Sequence, residues 1–446
     1  MRFLRFLFAA AFGLSLSLSA AAQLNLAWRH TFSWNNLKED AAQATAWTPQ
    51  GDLYVVGFHY PRDGVYLQVI KYNAAGAYQW RRSFPSLAFL TAGQYPQIGV
   101  DSAGNLIVAA QNLNSSSTWM TVRKFAPNGA ILWSDNVFGP HGYVVPAQLV
   151  VDSKDNVYVA ATGLAGQQSN YTYNAITIKY NASGVRQWSA AYDGPHVNAS
   201  VNGMAVDSNG NVFDLVTVLN APDPVRIVSY SASGGRIGVT AIHTGSASQF
   251  YAGQAIVASA NRLLVLLDNS NAPVTSALVS YTIVPATPVL PVRLNEQWVS
   301  HTSNRLFGLA VDRAGDAAAA GVDSSGTNAS ALEWDSAGKQ IWRHSLALTR
   351  GGGYWNSVAV TPSGEVLLVG SEYATTTQQG IILIIVAVYS SSGALLGHAI
   401  ASQGSAYQAA HGSLSPDGTR LAVVGQEEIA GTPLIDLAVT MAFNLF

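Results

Sequence analysis

The chain of 446 residues is 49% hydrophobic and only 11% charged, with 23 Lys plus Arg against 25 Asp plus Glu and no cysteine. Balanced charge without a basic cluster excludes a phosphate-backbone binder, so nucleic acid is not an expected partner. With no cysteine, neither disulfides nor a lipid-modified cysteine contribute, and stability rests on packing.

The N-terminus reads MRFLRFLFAAAFGLSLSLSAAAQ, in which Arg2 and Arg5 precede an apolar stretch that ends on Ala20, Ala21 and Ala22. This is the pattern of a secretory signal peptide over residues 1–22, with the mature chain beginning near Gln23. A single retained membrane anchor is the alternative; the short apolar part and its small, polar end favour cleavage. No later apolar run approaches the roughly 18 residues of a membrane-spanning helix. The expected location is therefore secreted or periplasmic, in a bacterium, with no membrane span after cleavage.

Residues 26–32, LAWRHTF, carry the text of an outermost strand, matching QWRRSF at 79–84 and IWRHSL at 341–346. A repeat follows. The stretch VDSAGNLIVAA from Val100 returns as VDSKDNVYVAA from Val151 and, more loosely, from Val206 and Val311. Its turn glycines are Gly51, Gly104, Gly210, Gly315, Gly364 and Gly418, with Asp155 and Asn261 in the equivalent slots, making eight copies 49 to 55 residues apart. That period belongs to propeller blades and related repeat units.

Each copy reads as four short strands. A first hairpin connection of the DSAG type lets Asp bond the turn backbone while Gly supplies a positive φ. A second tight turn ends on Gly76, Gly129, Gly184, Gly234, Gly338 or Gly393, and four residues later stand Trp80, Trp133, Trp188 and Trp342. A large ring at one fixed place on each outer strand fills the wedge between splayed sheets, so these tryptophans are read as packing.

Copies four and five depart most from the pattern, and PATPVLPV at 285–292 replaces the second turn with prolines that cannot donate to a ladder. Seven blades with an insertion is therefore an alternative to eight. The last copy runs out after its third strand, which leaves the N-terminal LAWRHTF to supply the fourth. The expected fold is all-β: a single β-propeller over residues 24–446, eight four-stranded blades, closed by pairing of the N- and C-terminal strands. The final IDLAVTMAFNLF alternates as the last strand of a lipid-facing barrel does, but strands in fours with a Trp-bearing outer member do not suit one.

These motifs, VDSAGN…TVRKFAPNGAILW and VDSKDN…AITIKYNASGVRQW, resemble the bacterial β-propeller repeat of SBBP type found in exported proteins. The resemblance implies a fold and export; it implies no shared reaction. The ring is also similar to those of quinoprotein dehydrogenases and of an exported lipoprotein that helps assemble outer-membrane proteins, but the absent cysteines and the lack of a calcium loop argue against both.

Removing the tight turns leaves two kinds of long connection, second-to-third-strand loops and links between blades, both on one face. Aromatic, Asn and Gly residues concentrate there, in PSLAFLTAGQYP from Pro85, GPHGYVVP from Gly139, DGPHVNAS from Asp193 and TRGGGYWN from Thr349. Tyr95 and Trp355, each nine residues before its turn glycine, are the expected exposed anchors. His141 and His196 share the text GPH one blade apart; they join the candidate ligand-binding set, and a metal role is disfavoured because no third ligand repeats. The DSNGN text at 207–211 is read as turn capping in preference to calcium binding, and His411 as a hydrogen-bonded core histidine in preference to a base. No nucleophile elbow or phosphate cradle occurs, and no cofactor is expected.

The function expected is an exported binding or scaffold protein, monomeric, recognising a protein or carbohydrate ligand through its long-loop face. The alternative is a hydrolase or lyase at the mouth of the central channel, for which His141, His196, His411, Asp193 and Glu39 are the available acid and base groups.

Overall fold

Every copy of the repeat folds into one four-stranded antiparallel sheet, and eight such sheets follow in chain order around a closed ring. The computed structural model describes residues 24–32, 40–59, 65–85, 96–113, 118–139, 141–167, 170–194, 198–221, 223–243, 251–269, 275–287, 291–348, 351–374, 382–400, 407–429 and 435–445. None of the described residues is helical, and no helix among them is long and apolar enough to cross a membrane. Blade one comprises Asp40–Trp47, Leu53–His59, Tyr66–Tyr72 and Tyr78–Pro85, ordered from inner to outer strand. Blades two to seven occupy 97–138, 144–192, 199–241, 251–302, 305–346 and 351–400 in the same order.

Blade eight takes its three inner strands from 407–444 and its outer strand from the N-terminus. Asn25–Phe32 runs antiparallel to Ile435–Asn444, from Asn25 opposite Asn444 to Phe32 opposite Ala438. The seam is bonded across as well as along: Thr45 and Ser413 share a 2.6 Å hydroxyl bond, and Arg420 donates to the carbonyl of Ala74 at 2.6 Å. Closure removes the edge that a three-stranded last blade would expose.

The repeated Asp explains itself in the turn it closes. Asp101 Oδ1 accepts the N–H groups of Ala103 and Asn105 at 3.0 and 2.8 Å, while Oδ2 accepts the Asn105 side-chain amide at 2.7 Å. Asp152 and Asp207 repeat the arrangement with Asn156 and Asn211. Each carboxylate thus satisfies donors that no ladder reaches, at about 0.5–1.5 kcal/mol net per bond. The following slot needs a positive φ, met by Gly104 at 79° and by Asp155 at 60°.

Between blades, the outer-strand tryptophan of one covers the second-turn glycine of the next: Trp28 over Gly76, Trp80 over Gly129, Trp133 over Gly184, Trp188 over Gly234, Trp298 over Gly338 and Trp342 over Gly393. A Cβ at Gly76 would stand 2.5 Å from the Trp28 ring, so the glycine is required for contact as well as for its φ of 83°. Trp80, Trp188 and Trp298 add an indole N–H bond to the turn carbonyls of Pro127, Ala232 and Ser336. Lys71 and Lys124, almost fully buried, reach the same turns and pair with Asp52 and Asp101 of their own blades at 2.8 and 2.7 Å. The packing reading of the tryptophans holds.

The core divides accordingly into eight apolar layers, each shared by two neighbouring blades. Copy five is regular, so the expected eight blades stand and the seven-blade alternative falls. Thr275–Val284 pairs with Arg293–Thr302 up to Val284 opposite Arg293, so Pro285 and Pro291 fall in the connection beyond the ladder, where no donor is needed. The ring has eight blades.

Candidate recognition cleft

Blade three is built longer than its neighbours on the long-loop side. Its two middle strands, Val157–Gln167 and Asn170–Tyr180, run 11 residues each and pair without a break to Gln167 opposite Asn170. The corresponding strands of blade two have eight residues, so the hairpin extends about 10 Å further, at about 3.3 Å per residue. Alternation places Tyr171 and Tyr173 on one side of this extension, 44% and 39% exposed.

The link from blade two to blade three packs against those rings. His141 sits 5.0 Å from Tyr171 and Tyr143 meets Tyr173 edge-on at 5.8 Å. The link is held from below: Gly142 accepts the Thr118 hydroxyl at 2.7 Å, and Tyr143 accepts the N–H of Leu164 at 3.0 Å. On the other flank, Asn198 begins blade four; its Oδ1 accepts the Tyr173 N–H at 2.9 Å and its carbonyl accepts the N–H of Leu219.

Both inner strands carry a bulge here, between Pro146 and Gln148 in blade three and between Val201 and Gly203 in blade four. A bulge turns one side chain out of the alternation. In blade four that residue is Asn202, whose Oδ1 accepts the Thr217 hydroxyl at 2.6 Å. The resulting cleft has a volume of about 520 Å³ between Tyr143, Thr162, Tyr173, Asn198, Ser200 and Asn202. None of its described lining residues is charged.

Of the residues singled out in the sequence, His141 lies at this site, exposed beside Tyr171. Tyr95, His196 and Glu39 lie outside the described residues. Trp355 is corrected: it is fully buried, in the layer that holds Ala318, Ala320, Ala329 and Ala331 of blade six. Its register faces the neighbouring blade, and the small side chains there leave the room it fills. His411 belongs to blade eight, three blades round the ring from His141, where a hydrogen-bonded core histidine was expected. Its Nδ1 is enclosed without a partner, however, and burial pushes the imidazole down to about 4.

Two carboxyl groups are perturbed elsewhere in the ring. Burial raises Asp214 to about 7, opposed by the Thr177 hydroxyl that donates to it across blades three and four. Burial likewise raises Glu333 to about 7. Glu333 stands opposite Trp342, where blades one to three place Lys71, Lys124 and Lys179 opposite their own tryptophans. Neither carboxyl lines the cleft.

Sequence reasoning pointed to the loops holding Tyr143 and Asn198 but missed Tyr171, Tyr173 and Asn202. The available signal was the alternating NYTYN text at 170–174. The bulge that frees Asn202 recurs eight residues before the turn slot in six blades, so the repeat register, and no local motif, was the signal that marks it.

No protein-family model and no curated protein matches the chain. Among solved structures it is similar to a puromycin hydrolase (12% identity, TM-score 0.48), covering 87% of this chain and 58% of that one. It is similar also to a prolyl endopeptidase (14%, TM-score 0.49, 87% and 55% covered) and to a eukaryotic initiation factor (11%, TM-score 0.44, 90% of both). The chain spans little more than half the length of the two enzymes.

Proposed function

We propose that this protein is an exported binding or scaffold protein, a bacterial propeller of SBBP type, that recognises a protein or glycan partner with its long-loop face. One observation carries the reading: the two faces of the ring differ in chemistry. On the tight-turn face the repeated Asp carboxylates are engaged by their own turns and by neighbouring strand side chains such as Lys124 and Tyr158. On the other face, Tyr171 and Tyr173 stand exposed beside an uncharged cleft. Exposed rings held by a rigid scaffold, with side-chain amides beside them, are the makings of a recognition surface. The leader at 1–22 delivers the chain to the periplasm or beyond, where it acts as a monomer.

The absence of native cysteine makes a direct test possible. Thr172→Cys on the long hairpin and Ser183→Cys on a tight turn are each coupled to a bulky maleimide polymer, and the mature chain is read on glycan and protein arrays. The polymer at 172 is expected to abolish array binding and the polymer at 183 to leave it intact. Binding that survives the first label, or falls only with the second, overturns the proposal.

A further inference from the structure

We infer that the cleft between blades three and four is a site for an uncharged saccharide, with the Tyr173 ring as its platform and the amides of Asn198 and Asn202 as its donors. This rests on the reading of the long-loop face as a recognition face and specifies the chemistry of what is recognised.

Size sets the first limit. At about 520 Å³ the cleft is within the range of small-ligand sites, about 300–1,000 Å³, and it admits a chain end or a branch but not a folded domain. Charge sets the second. With no charged residue among the described lining, a phosphate, uronate or sialate would lose its hydration without gaining a counter-charge.

Hydrogen-bond polarity then narrows the class. Asn198 Oδ1 is occupied by the Tyr173 N–H and Asn202 Oδ1 by the Thr217 hydroxyl. Those bonds fix which way each amide points and leave both NH₂ groups as donors. Thr162 Oγ1 accepts the N–H of Val201 at 3.0 Å, so its own hydroxyl proton is also left to donate. The cleft thus offers three donors of fixed direction, the two amide NH₂ groups and the Thr162 hydroxyl, beside Ser200, whose hydroxyl donates to the Thr217 carbonyl and keeps its oxygen as an acceptor. A peptide would bring backbone N–H groups that need acceptors, and burying them unpaired is costly. Saccharide ring and glycosidic oxygens accept only, and saccharide hydroxyls accept while their freely rotating protons turn to Ser200 or to solvent.

The aromatic component agrees. Tyr173 is 39% exposed, and its edge-type contact with Tyr143 holds the ring in place. A rigid, half-exposed ring suits the flat C–H face of a pyranose, gaining contact area with little loss of side-chain entropy.

The test is calorimetric titration of the mature chain with neutral hexasaccharides of glucose, xylose, mannose and N-acetylglucosamine, with polygalacturonate and a mixed hexapeptide pool as comparators. At least one neutral saccharide is expected to bind and polygalacturonate to fail. Tyr173→Ala should weaken binding about tenfold or more, and Tyr173→Phe should restore it. Tyr78→Ala, which removes an exposed ring on the outer strand of blade one, should change nothing. Equal melting temperatures of the variants establish that folding is intact. The inference is overturned if no neutral saccharide binds at millimolar concentration, if Tyr173→Ala binds as well as the parent, or if only the peptides bind. If the polymer at 172 still blocks an array partner in those cases, the recognition face stands and the saccharide site alone falls. If that polymer blocks nothing, both fall.

Discussion

Replacing Asp214 by Asn should make the protein more stable at neutral and alkaline pH and leave it nearly unchanged in mild acid. Asp214 lies in the middle strand Val212–Val218 of blade four and is fully buried; Oδ1 has no partner, and Oδ2 accepts the Thr177 hydroxyl of blade three. Burial raises its carboxyl from 3.8 to about 7. A group bound more tightly to its proton in the folded state stabilises fully below its unfolded value and loses that contribution as pH rises through the folded one. The window therefore runs from about pH 4 to about pH 7, with a plateau above it. At about 1.4 kcal/mol per tenfold in proton affinity, the rise corresponds to roughly 4 kcal/mol, and relaxation around the buried charge brings this to about 2–4 kcal/mol. The asparagine keeps the shape and an acceptor for Thr177 without the ionisation. Melting followed by circular dichroism should place the variant about 2–6 °C above the parent near pH 8, with the gap closing near pH 4.5. A gap of the same size at both values would refute the reasoning, because it would show that ionisation of Asp214 is not what the mutation removes.

Further outcomes follow from the same contacts. Trp188→Ala takes away the ring over Gly234 and the bond to the Ala232 carbonyl; a loss of about 3 kcal/mol is expected in thermal or denaturant melts. Trp355→Ala should cost about 3–5 kcal/mol while leaving array binding unchanged, since the ring fills an interblade layer; lost binding at unchanged stability would restore it as a surface anchor. Deleting residues 24–32 leaves the outer edge of Ile435–Asn444 unpaired and should lower the melting temperature and promote aggregation visible by light scattering; an unchanged melt would mean that the terminal strand does not close the ring. Sequencing the exported product should place its N-terminus near Gln23, and retention of residues 1–22 would contradict the leader.

The fold was legible because its determinants are local. Asp101 closes its turn through residues two and four positions on, so the motif and its bonds lie in one short stretch of chain. The Trp four residues past four of the six second-turn glycines likewise marks one position on one strand. Copy five was harder, since prolines at 285–291 read as a broken strand until the ladder is seen to end at Val284. The site was less legible because it depends on what adjoins. Spacing placed Trp355 correctly along its strand, yet only the alanines of blade six decide that the ring points into a space its own size. Tyr171 and Tyr173 alternate visibly, but their projection follows from pairing that continues to Gln167 and Asn170. Asn202 faces the cleft because of a bulge, and Asn198 joins it through a bond to the opposite blade.

The central claim, that recognition happens on the long-loop face between blades three and four, is tested most directly by amide hydrogen exchange with and without a bound array ligand. Slowed exchange at 141–147, 171–174 and 198–203, with the tight turns at 126–130 and 181–185 unchanged, is the predicted footprint. Protection confined to the tight turns, or spread over a face that omits those three segments, would contradict the account.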